Sequence, residues 1–460
     1  MLIVLQIIVI CCFIAVIIAL FREKTDFLTY SVVAMFVAVI ATFLFSPFLP
    51  VETAPEGFTI NGLILSIEWE VVVFLIAIFG IVEILHDKHI FQEIALRITN
   101  KFHTKTRSFF WVICLISTLS AAFIEDLSVA IIFIPMIIST SEKMKINPAP
   151  ILLGMTICIN LAATLTPFGS AQNILIANDF GLNSGWFFTY MGTYFLIGTF
   201  TTLFLLDRYI LKKNLTEIWV PHCDEYSEPI QKNYIEDHEL VIVEKHIDSK
   251  VFYRNLTALI AFFLLLILIP NIIFVGLLGF LIFLFINPRK DKEGTHRVEI
   301  SHYLSKIDYK LIFFFICLFI LLYCMEVNGT IKLIEDFVKI IAPNNLFLMS
   351  ILILIMTSLL SGFLDNVPVT VLFIPIIGVL SNSGFARAPL LIAFILGINL
   401  GGNILPQGSA ADMMTLELST KYCVDDMNYK RLLKVGGLFA LLHIVLGIGY
   451  LALIIFLTPV

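Results

Sequence analysis

The most constraining feature of this sequence is an apolar segment interrupted by acidic residues, which occurs twice, 240 residues apart. Glu125 and Asp126 interrupt the first apolar run, and Asp365 lies at the matching position of the second. Residues 123–137 and 363–377 also share phenylalanine, valine, isoleucine and proline positions. A carboxylate at the centre of a bilayer costs about 2.5–3.5 kcal/mol, so matched acidic positions in apolar runs indicate a function.

A second repeated feature follows each acidic segment: an apolar run broken by polar and small residues. Thr166–Ser170 breaks the first run, and Gln407–Ser409 breaks the second. A shift of 239 residues aligns these breaks and sets Asn173 opposite Asp412. Irregular backbone at membrane depth persists only around a cavity or inside the protein. The breaks and the acidic tips therefore predict one central site.

Composition places the chain among polytopic membrane proteins. Of its 460 residues, 59% are hydrophobic and only 14% are charged, whereas soluble domains carry about 25% charged residues. A Walker A motif is absent from the sequence, which excludes ATP binding by a P-loop. The eight cysteines lack a C-x-x-C spacing, so the sequence predicts neither a disulfide framework nor a zinc site.

The order of apolar segments predicts an all-α polytopic membrane protein built from two inverted repeats. Each repeat has three spans, a re-entrant hairpin, a broken helix that crosses the membrane, and a last span. Because a re-entrant hairpin does not cross, each repeat makes five crossings, and an odd number inverts the second repeat. The predicted units are a first repeat over 1–211, a cytoplasmic linker over 212–251 and a second repeat over 252–460.

The distribution of basic residues predicts the orientation of the chain. With the N-terminus outside, all but three of the 29 lysines and arginines face the cytoplasm. The three exceptions are Lys332, Lys339 and Arg387. Cytoplasmic loops are enriched in lysine and arginine, so the sequence predicts an N-out, C-out arrangement.

The candidate site residues come from the two hairpin tips and the two breaks. Half-helix termini and freed backbone carbonyls at such positions bind ions. The first repeat contributes Glu125, Asp126, Asn160, Thr164, Thr166, Gly169, Ser170 and Asn173, and the second contributes Asp365, Asn366, Asn399, Asn403, Gln407, Gly408, Ser409 and Asp412.

The chemistry of this set is acidic, because it holds four carboxylates and neither lysine nor arginine. Such a site suits a metal cation, a proton or a neutral polyhydroxy solute, whereas a di- or tricarboxylate would need compensating cations. Neighbouring buried carboxylates repel one another, which favours proton binding by one of them. We expect proton or Na⁺ binding at Glu125, Asp126, Asp365 and Asn366.

Four segments of the chain resemble the ion transporter superfamily: FIEDLSVAIIFIP, TPFGSAQNILIANDFGL, SGFLDNVPVTVLFIP and GINLGGNILPQGS. The likeness is greatest to the arsenite permease and NhaD-type Na⁺/H⁺ antiporter branch, whose members share a citrate-transporter-like domain. The resemblance implies a scaffold domain, a transport domain with both hairpins and both broken helices, alternating access, and a homodimer. Related dicarboxylate carriers have Ser-Asn-Thr at the hairpin tips, which bind Na⁺ and the substrate carboxylate. Here the tips read Glu125-Asp126-Leu127 and Asp365-Asn366-Val367, so that signature is absent.

These observations predict a secondary active transporter, not an enzyme, in the plasma membrane. We expect H⁺ or Na⁺ as the coupling ion, no other cofactor, and a small inorganic ion or neutral hydroxide as the solute. Arsenite- or antimonite-type efflux and Na⁺/H⁺ antiport share this prediction. A Na⁺-coupled di- or tricarboxylate carrier and an ion channel are the alternatives. A cytoplasmic ATPase subunit is left open, and nucleic-acid binding is not expected.

Overall fold

The computed structural model describes most of the chain outside the central polar segment. The described residues are 1–21, 26–50, 57–102, 105–212, 219, 247–269, 271–290, 296–307, 309–333, 336, 345–364, 366–424 and 426–457. Asp365, a predicted site residue, lies outside them, as does nearly all of the predicted linker. The boundaries of the two repeats and of the linker stay predictions.

The described residues of the first half form ten α-helices. They are α1 (Leu2–Phe21), α2 (Phe27–Leu44), α3 (Ile60–Leu65), α4 (Trp69–Asp87), α5 (Ile90–Phe102), α6 (Thr106–Ala121), α7 (Asp126–Met144), α8 (Ala149–Ala162), α9 (Ala171–Phe180) and α10 (Ser184–Leu206). A 3₁₀ turn covers Ser46–Phe48, and α10 continues into a π-helical turn over Asp207–Leu211.

In the second half, the part of the chain that the structure describes forms nine further α-helices and a short 3₁₀ turn over Pro406–Gly408. The helices are α11 (Ser249–Leu268), α12 (Ile272–Ile286), α13 (Ile300–Leu304), α14 (Tyr309–Val327), α15 (Leu346–Phe363), α16 (Asn366–Asn382), α17 (Arg387–Gly401), α18 (Ala410–Lys421) and α19 (Tyr429–Leu457). Two-residue strands β1 (Arg289–Lys290) and β2 (His296–Arg297) form a small antiparallel pair.

The predicted all-α membrane fold is confirmed. In the part of the chain that the structure describes, nine helices are long and apolar enough to cross a membrane. Five shorter apolar helices accompany them, and these include α6, α8, α16 and α17, which belong to the predicted hairpins and broken helices. The inverted relation of the two halves and the location of the termini stay predictions.

Local sequence explains where the hairpins and breaks begin and end. The second hairpin arms, α7 and α16, each contain an internal proline, Pro135 and Pro375, at matched positions. Proline removes a backbone donor and bends a helix. Gly181 ends α9 in the left-handed conformation with φ +62°, which a glycine adopts at little cost. Ser409 caps α18 by accepting from the Asp412 amide.

Helices of the two halves pack against each other in matched pairs. Helix α4 packs against α12 while α14 packs against α2, which pairs the third span of each half with the second span of the other. In the same manner α18 packs against α7, and α9 packs against α16. The half-helix after each break therefore lies against the second hairpin arm of the other half.

The cysteines depart from the prediction at one position. Cys423, just after α18, is disulfide-bonded, so the expectation of a chain without disulfides was wrong there. Six other described cysteines are free, and five of them are buried among apolar helices.

Candidate functional site

A buried polar cluster surrounds Asp412 between α8 and α18. Asp412 Oδ1 accepts a hydrogen bond from Thr156 Oγ1 at 2.6 Å and another from Asn160 Nδ2 at 3.3 Å. Thr415 Oγ1 lies 3.2 Å from Thr156 Oγ1. Asp412 Oδ2 is buried and finds no hydrogen-bond partner among the described residues. Protein donors therefore hold one carboxylate oxygen and leave the other for a ligand.

Asn160 ties α8 to the second break. Its Nδ2 donates to Asn403 Oδ1 at 2.8 Å, and its Oδ1 accepts from Ser409 Oγ at 2.8 Å. Asn403 Nδ2 in turn donates to the carbonyl oxygen of Ile157 at 3.3 Å. These side chains are at most 6% exposed. Because buried polar groups are costly when unpaired, this network fixes the break against α8.

A matching cluster lies at the first break, and it is neutral. Asn399 of α17 donates to Asn173 Oδ1 and accepts from Gln172 Nε2, both at 3.0 Å. Asn173 Nδ2 donates to the carbonyl oxygens of Ala163 and Thr166, the latter at 3.1 Å. Asn173 aligns with Asp412 in the sequence repeat. The two breaks therefore have similar hydrogen bonding, but only the second carries a carboxylate.

Asp126 is the first residue of α7, at the first hairpin tip, and approaches the polar cluster around Asp412. Helix α7 packs on α18, and the Asp126 carboxylate interacts electrostatically with Glu125 and Asp412. Asp126 Oδ1 is buried without a hydrogen-bond partner in the described part of the chain. Burying an unpaired charge costs several kcal/mol. A proton or a metal cation bound between Asp126 and Asp412 would remove that cost.

Glu125 has different surroundings from its neighbour. It lines a small cleft with Leu75 and Phe79 of α4 and with Phe168 and Ser170 of the first break. Ser170 Oγ is buried, and the described residues offer it no partner. Glu125 thus lies where α4 meets the hairpin tip, whereas Asp126 lies toward α18.

Close backbone contacts join each break to the hairpin tip of its own half. A Cβ atom on Gly169 would lie 2.7 and 2.8 Å from the carbonyl oxygens of Ala121 and Ala122. A Cβ atom on Gly408 would lie 2.9 Å from two carbonyl oxygens at the end of α15. Thr166 Oγ1 also donates to the Ala122 carbonyl oxygen. Only glycine fits these two approaches.

Comparison with known proteins identifies the family of this chain. Residues 13–398 match the CitMHS family model, which is described as a citrate transporter. The match covers well over half of the 460 residues. The chain belongs to the CitMHS citrate transporter family. It is therefore a membrane transporter of the ion transporter superfamily and not an enzyme.

Relatives of this CitMHS protein extend over most of its length. A 46 kDa membrane protein of Mycobacterium leprae is 24% identical over 357 residues, which are 77% of this chain and 79% of the relative. An uncharacterized transporter of Methanocaldococcus jannaschii is 24% identical over 386 residues, 84% and 89% of the two chains.

Two solved structures share the fold. The YdaH transporter of Alcanivorax borkumensis has a TM-score of 0.55 at 12% identity, and the match covers 86% of this chain and 88% of YdaH. MtrF of Neisseria gonorrhoeae has a TM-score of 0.57 at 11% identity and covers 92% and 85% of the two chains. At such low identity these neighbours support the polytopic transporter fold alone.

Most of the predicted site residues of this CitMHS transporter do come together. The two clusters and the first hairpin tip contain Asp126, Asn160, Asn173, Asn399, Asn403, Ser409 and Asp412. Glu125 and Ser170 line the cleft beside α4. Asn366 lies at the second tip, where it accepts from Ser361 Oγ.

Three of the predicted residues have other roles. Thr164 donates to the Leu161 carbonyl oxygen at 2.7 Å and caps α8, while Thr166 anchors the break to the hairpin. Gln407 lies outside both clusters. Its side chain is exposed and accepts from the Tyr429 hydroxyl at 2.6 Å.

Sequence reasoning missed Thr156, Gln172 and Thr415. Thr156 lies one helical turn before Asn160, and Thr415 lies one turn after Asp412. Residues three or four apart share a helix face. That spacing could have indicated both threonines, whereas Gln172 carries no signal beyond its position beside Asn173.

Proposed function

We propose that this CitMHS transporter is a secondary active carrier whose coupling cation, H⁺ or Na⁺, binds between Asp126 and Asp412. The observation that carries the proposal is the pair of buried carboxylate oxygens, Asp126 Oδ1 and Asp412 Oδ2, which lack partners among the described residues. Burial of a polar group without a partner is unfavourable, so these oxygens need a proton or a cation. They belong to different halves of the chain, on helices that pack together.

The charge of the site favours a small inorganic solute as the cargo. Among the hydrogen-bonded residues of the two described clusters there is neither lysine nor arginine. A metal cation or a neutral hydroxide such as arsenite needs no positive side chain. Efflux of such a solute in exchange for H⁺, or Na⁺/H⁺ antiport, fits this chemistry.

A carboxylate carrier is the second candidate, and the description of the family model as a citrate transporter favours it. Here the coupling cation would neutralise Asp126 and Asp412 and would also accompany the anion. The same central residues would act, but a carboxylate would move only together with cations. The proposal includes a homodimer in the plasma membrane and leaves a cytoplasmic ATPase subunit open.

Flux in proteoliposomes tests this proposal. The purified full-length protein is reconstituted with an internal pH dye and challenged in turn with Na⁺, arsenite and citrate, without ATP. We expect Na⁺ or arsenite to move protons. If citrate alone does so, the carboxylate carrier replaces our first candidate, and unitary currents in a planar bilayer would show a channel instead.

Two isosteric variants test the site. Asp126→Asn and Asp412→Asn should each weaken cation binding by at least about 1.4 kcal/mol, so that the cation concentration needed for half-maximal coupled flux rises about tenfold or more. Glu142→Gln is the matched control, because Glu142 is an exposed acid on the same helix as Asp126. Coupled flux at the wild-type level in both site variants would refute the assigned role.

A further inference from the structure

A second pocket, whose lining includes no residue of the central cluster, lies between the start of α6 and the end of α10. Its volume is about 510 Å³, and Arg107, Trp111, Phe204 and Asp207 are among its lining residues. It opens outward beside the π-helical turn that begins at Asp207. A π-helical turn often marks a functional position in a helix. The proposed transport mechanism does not use this pocket.

The floor of the pocket is a fixed ion pair. Arg107 Nε donates to both oxygens of Asp207, at 2.8 and 2.7 Å, and Trp111 Nε1 donates to the same carboxylate at 3.0 Å. The Asp207 side chain is 4% exposed, whereas that of Arg107 is 66% exposed. Among the described residues these hydrogen bonds use only Nε, so the terminal nitrogens of the guanidinium remain available there. Arginine offers these nitrogens in a fork that matches a phosphate.

The rim of the pocket is basic. Lys105 precedes α6, and Arg208 and Lys212 follow Asp207 at the end of α10, and all three are exposed. Within residues 105–112 and 200–212 the only acid is Asp207, which is buried and already paired. The two helix ends therefore present positive charge to the surroundings of the pocket.

Aromatic rings extend outward from the pocket, from the lining residues Trp111 and Phe204 to the neighbouring Phe200. Phe200 and Phe204 are 63% and 50% exposed, and their rings stack with centroids 6.4 Å apart. Trp111 packs on Phe200 at 5.7 Å. Exposed aromatic rings beside basic residues, at the end of an apolar span, are typical of the membrane–water boundary.

We propose that this pocket binds the anionic headgroup of a phospholipid. The phosphate would contact the terminal nitrogens of Arg107, with Lys105 and Arg208 adding positive charge, and the acyl chains would lie along Phe200 and Phe204. The exposed apolar wall favours a lipid over free phosphate, because a soluble anion would leave both phenylalanines uncovered. Basic pockets between membrane helices are a recurrent form of anionic lipid site.

Native mass spectrometry of the full-length protein tests this site. The protein is offered phosphatidylglycerol or phosphatidylcholine with the same acyl chains, and a separate sample receives excess inorganic phosphate. We expect phosphatidylglycerol to be retained about fivefold or more over phosphatidylcholine, and phosphate to leave that preference unchanged. Equal retention of both lipids, or loss of the preference in phosphate, would overturn the proposal.

Two double variants locate the binding. Arg107→Gln with Asp207→Asn removes the guanidinium without leaving a buried carboxylate unpaired. Lys105→Gln with Arg208→Gln keeps the Arg107–Asp207 ion pair and removes only positive charge from the rim. This second variant therefore tests the site even if the first variant misfolds. Each should lower the preference to about twofold or less.

The matched control is Lys430→Gln with Lys434→Gln, which removes two exposed charges near the start of α19. It should retain the wild-type preference. If both pocket variants keep that preference, or if the control loses it equally, lipid binding does not occur in this pocket. Binding is measured without transport, so this result is independent of the function proposed for the central site.

Discussion

Glu125 and Asp126 are adjacent acidic residues with different surroundings. Glu125 lines the cleft beside α4, while Asp126 lies near Asp412 and has a buried oxygen without a partner in the described chain. A turn at the hairpin tip separates their directions, since Asp126 is the first helical residue and Glu125 precedes it. We therefore assign cation binding to Asp126 and a contact role to Glu125.

This assignment predicts unequal effects of two neutral substitutions. Asp126→Asn should lower cation-coupled flux at subsaturating cation concentration about tenfold or more, whereas Glu125→Gln should change the turnover rate and keep the number of cations moved per solute. The measurement is the ratio of cation to solute flux in proteoliposomes across a pH series. Equal loss of coupling in the two variants would contradict the separation.

At the scale of elements, each break packs directly against the hairpin of its own half. Gly169 lies against the first tip and Gly408 against the end of α15, with no room for a Cβ atom between them. The contacted atoms are backbone carbonyl oxygens, which move less readily than side chains. The packing of these elements is thus set by two glycines at matched positions.

Alanine substitutions test this packing. Gly169→Ala and Gly408→Ala should each lower the free energy of unfolding by about 1–3 kcal/mol, because an added methyl group must displace backbone. Gly192→Ala in α10 is the control, since a Cβ atom there meets nothing within 4 Å. It should be neutral or gain up to about 1 kcal/mol of helix propensity. Thermal unfolding in detergent compares the three, and equal melting temperatures would refute the close fit.

Sequence patterns predicted these elements well and their side-chain partners less well. Glu125 and Asp126, which the sequence predicts at the first hairpin tip, lie after the end of α6 and at the start of α7, because polar interruptions in apolar runs mark helix ends. The pairing of Asn160 with Asn403 could not be predicted, since it depends on how α8 approaches the second break. The contact of Gln407 with Tyr429 could not be predicted either, since it depends on how the 3₁₀ turn lies beside α19.

At the scale of the whole molecule, one polar contact joins the helix pair α4–α12 to the half-helix α9. Asn178 Nδ2, near the end of α9, donates to Glu68 Oε2 at 2.7 Å, just before α4. Burial and the nearby Asp179 carboxylate raise the pKa of Glu68. If transport moves the broken helices against α4, this contact must open in each cycle.

Reversible cross-linking tests that motion. A Glu68→Cys, Asn178→Cys variant should lose transport on oxidation and regain it with reductant. Asn255→Cys with Asn287→Cys is the control, because these mutually bonded residues lie on α11 and just after α12, which pack together. Wild-type protein receives the same treatment, since it has its own cysteines. Full transport by the oxidised Glu68–Asn178 pair would exclude relative motion there.

The neutral cluster at the first break has a consequence for energetics across the membrane. Asn173 stands where the repeat sets Asp412, so the two breaks differ in charge although their hydrogen bonds correspond. If the coupling cation binds only at the charged break, as we propose, the moving helices would differ in net charge between the loaded and the empty carrier. Membrane voltage would then act unequally on the outward and return steps, and the transport cycle would have a preferred electrical polarity.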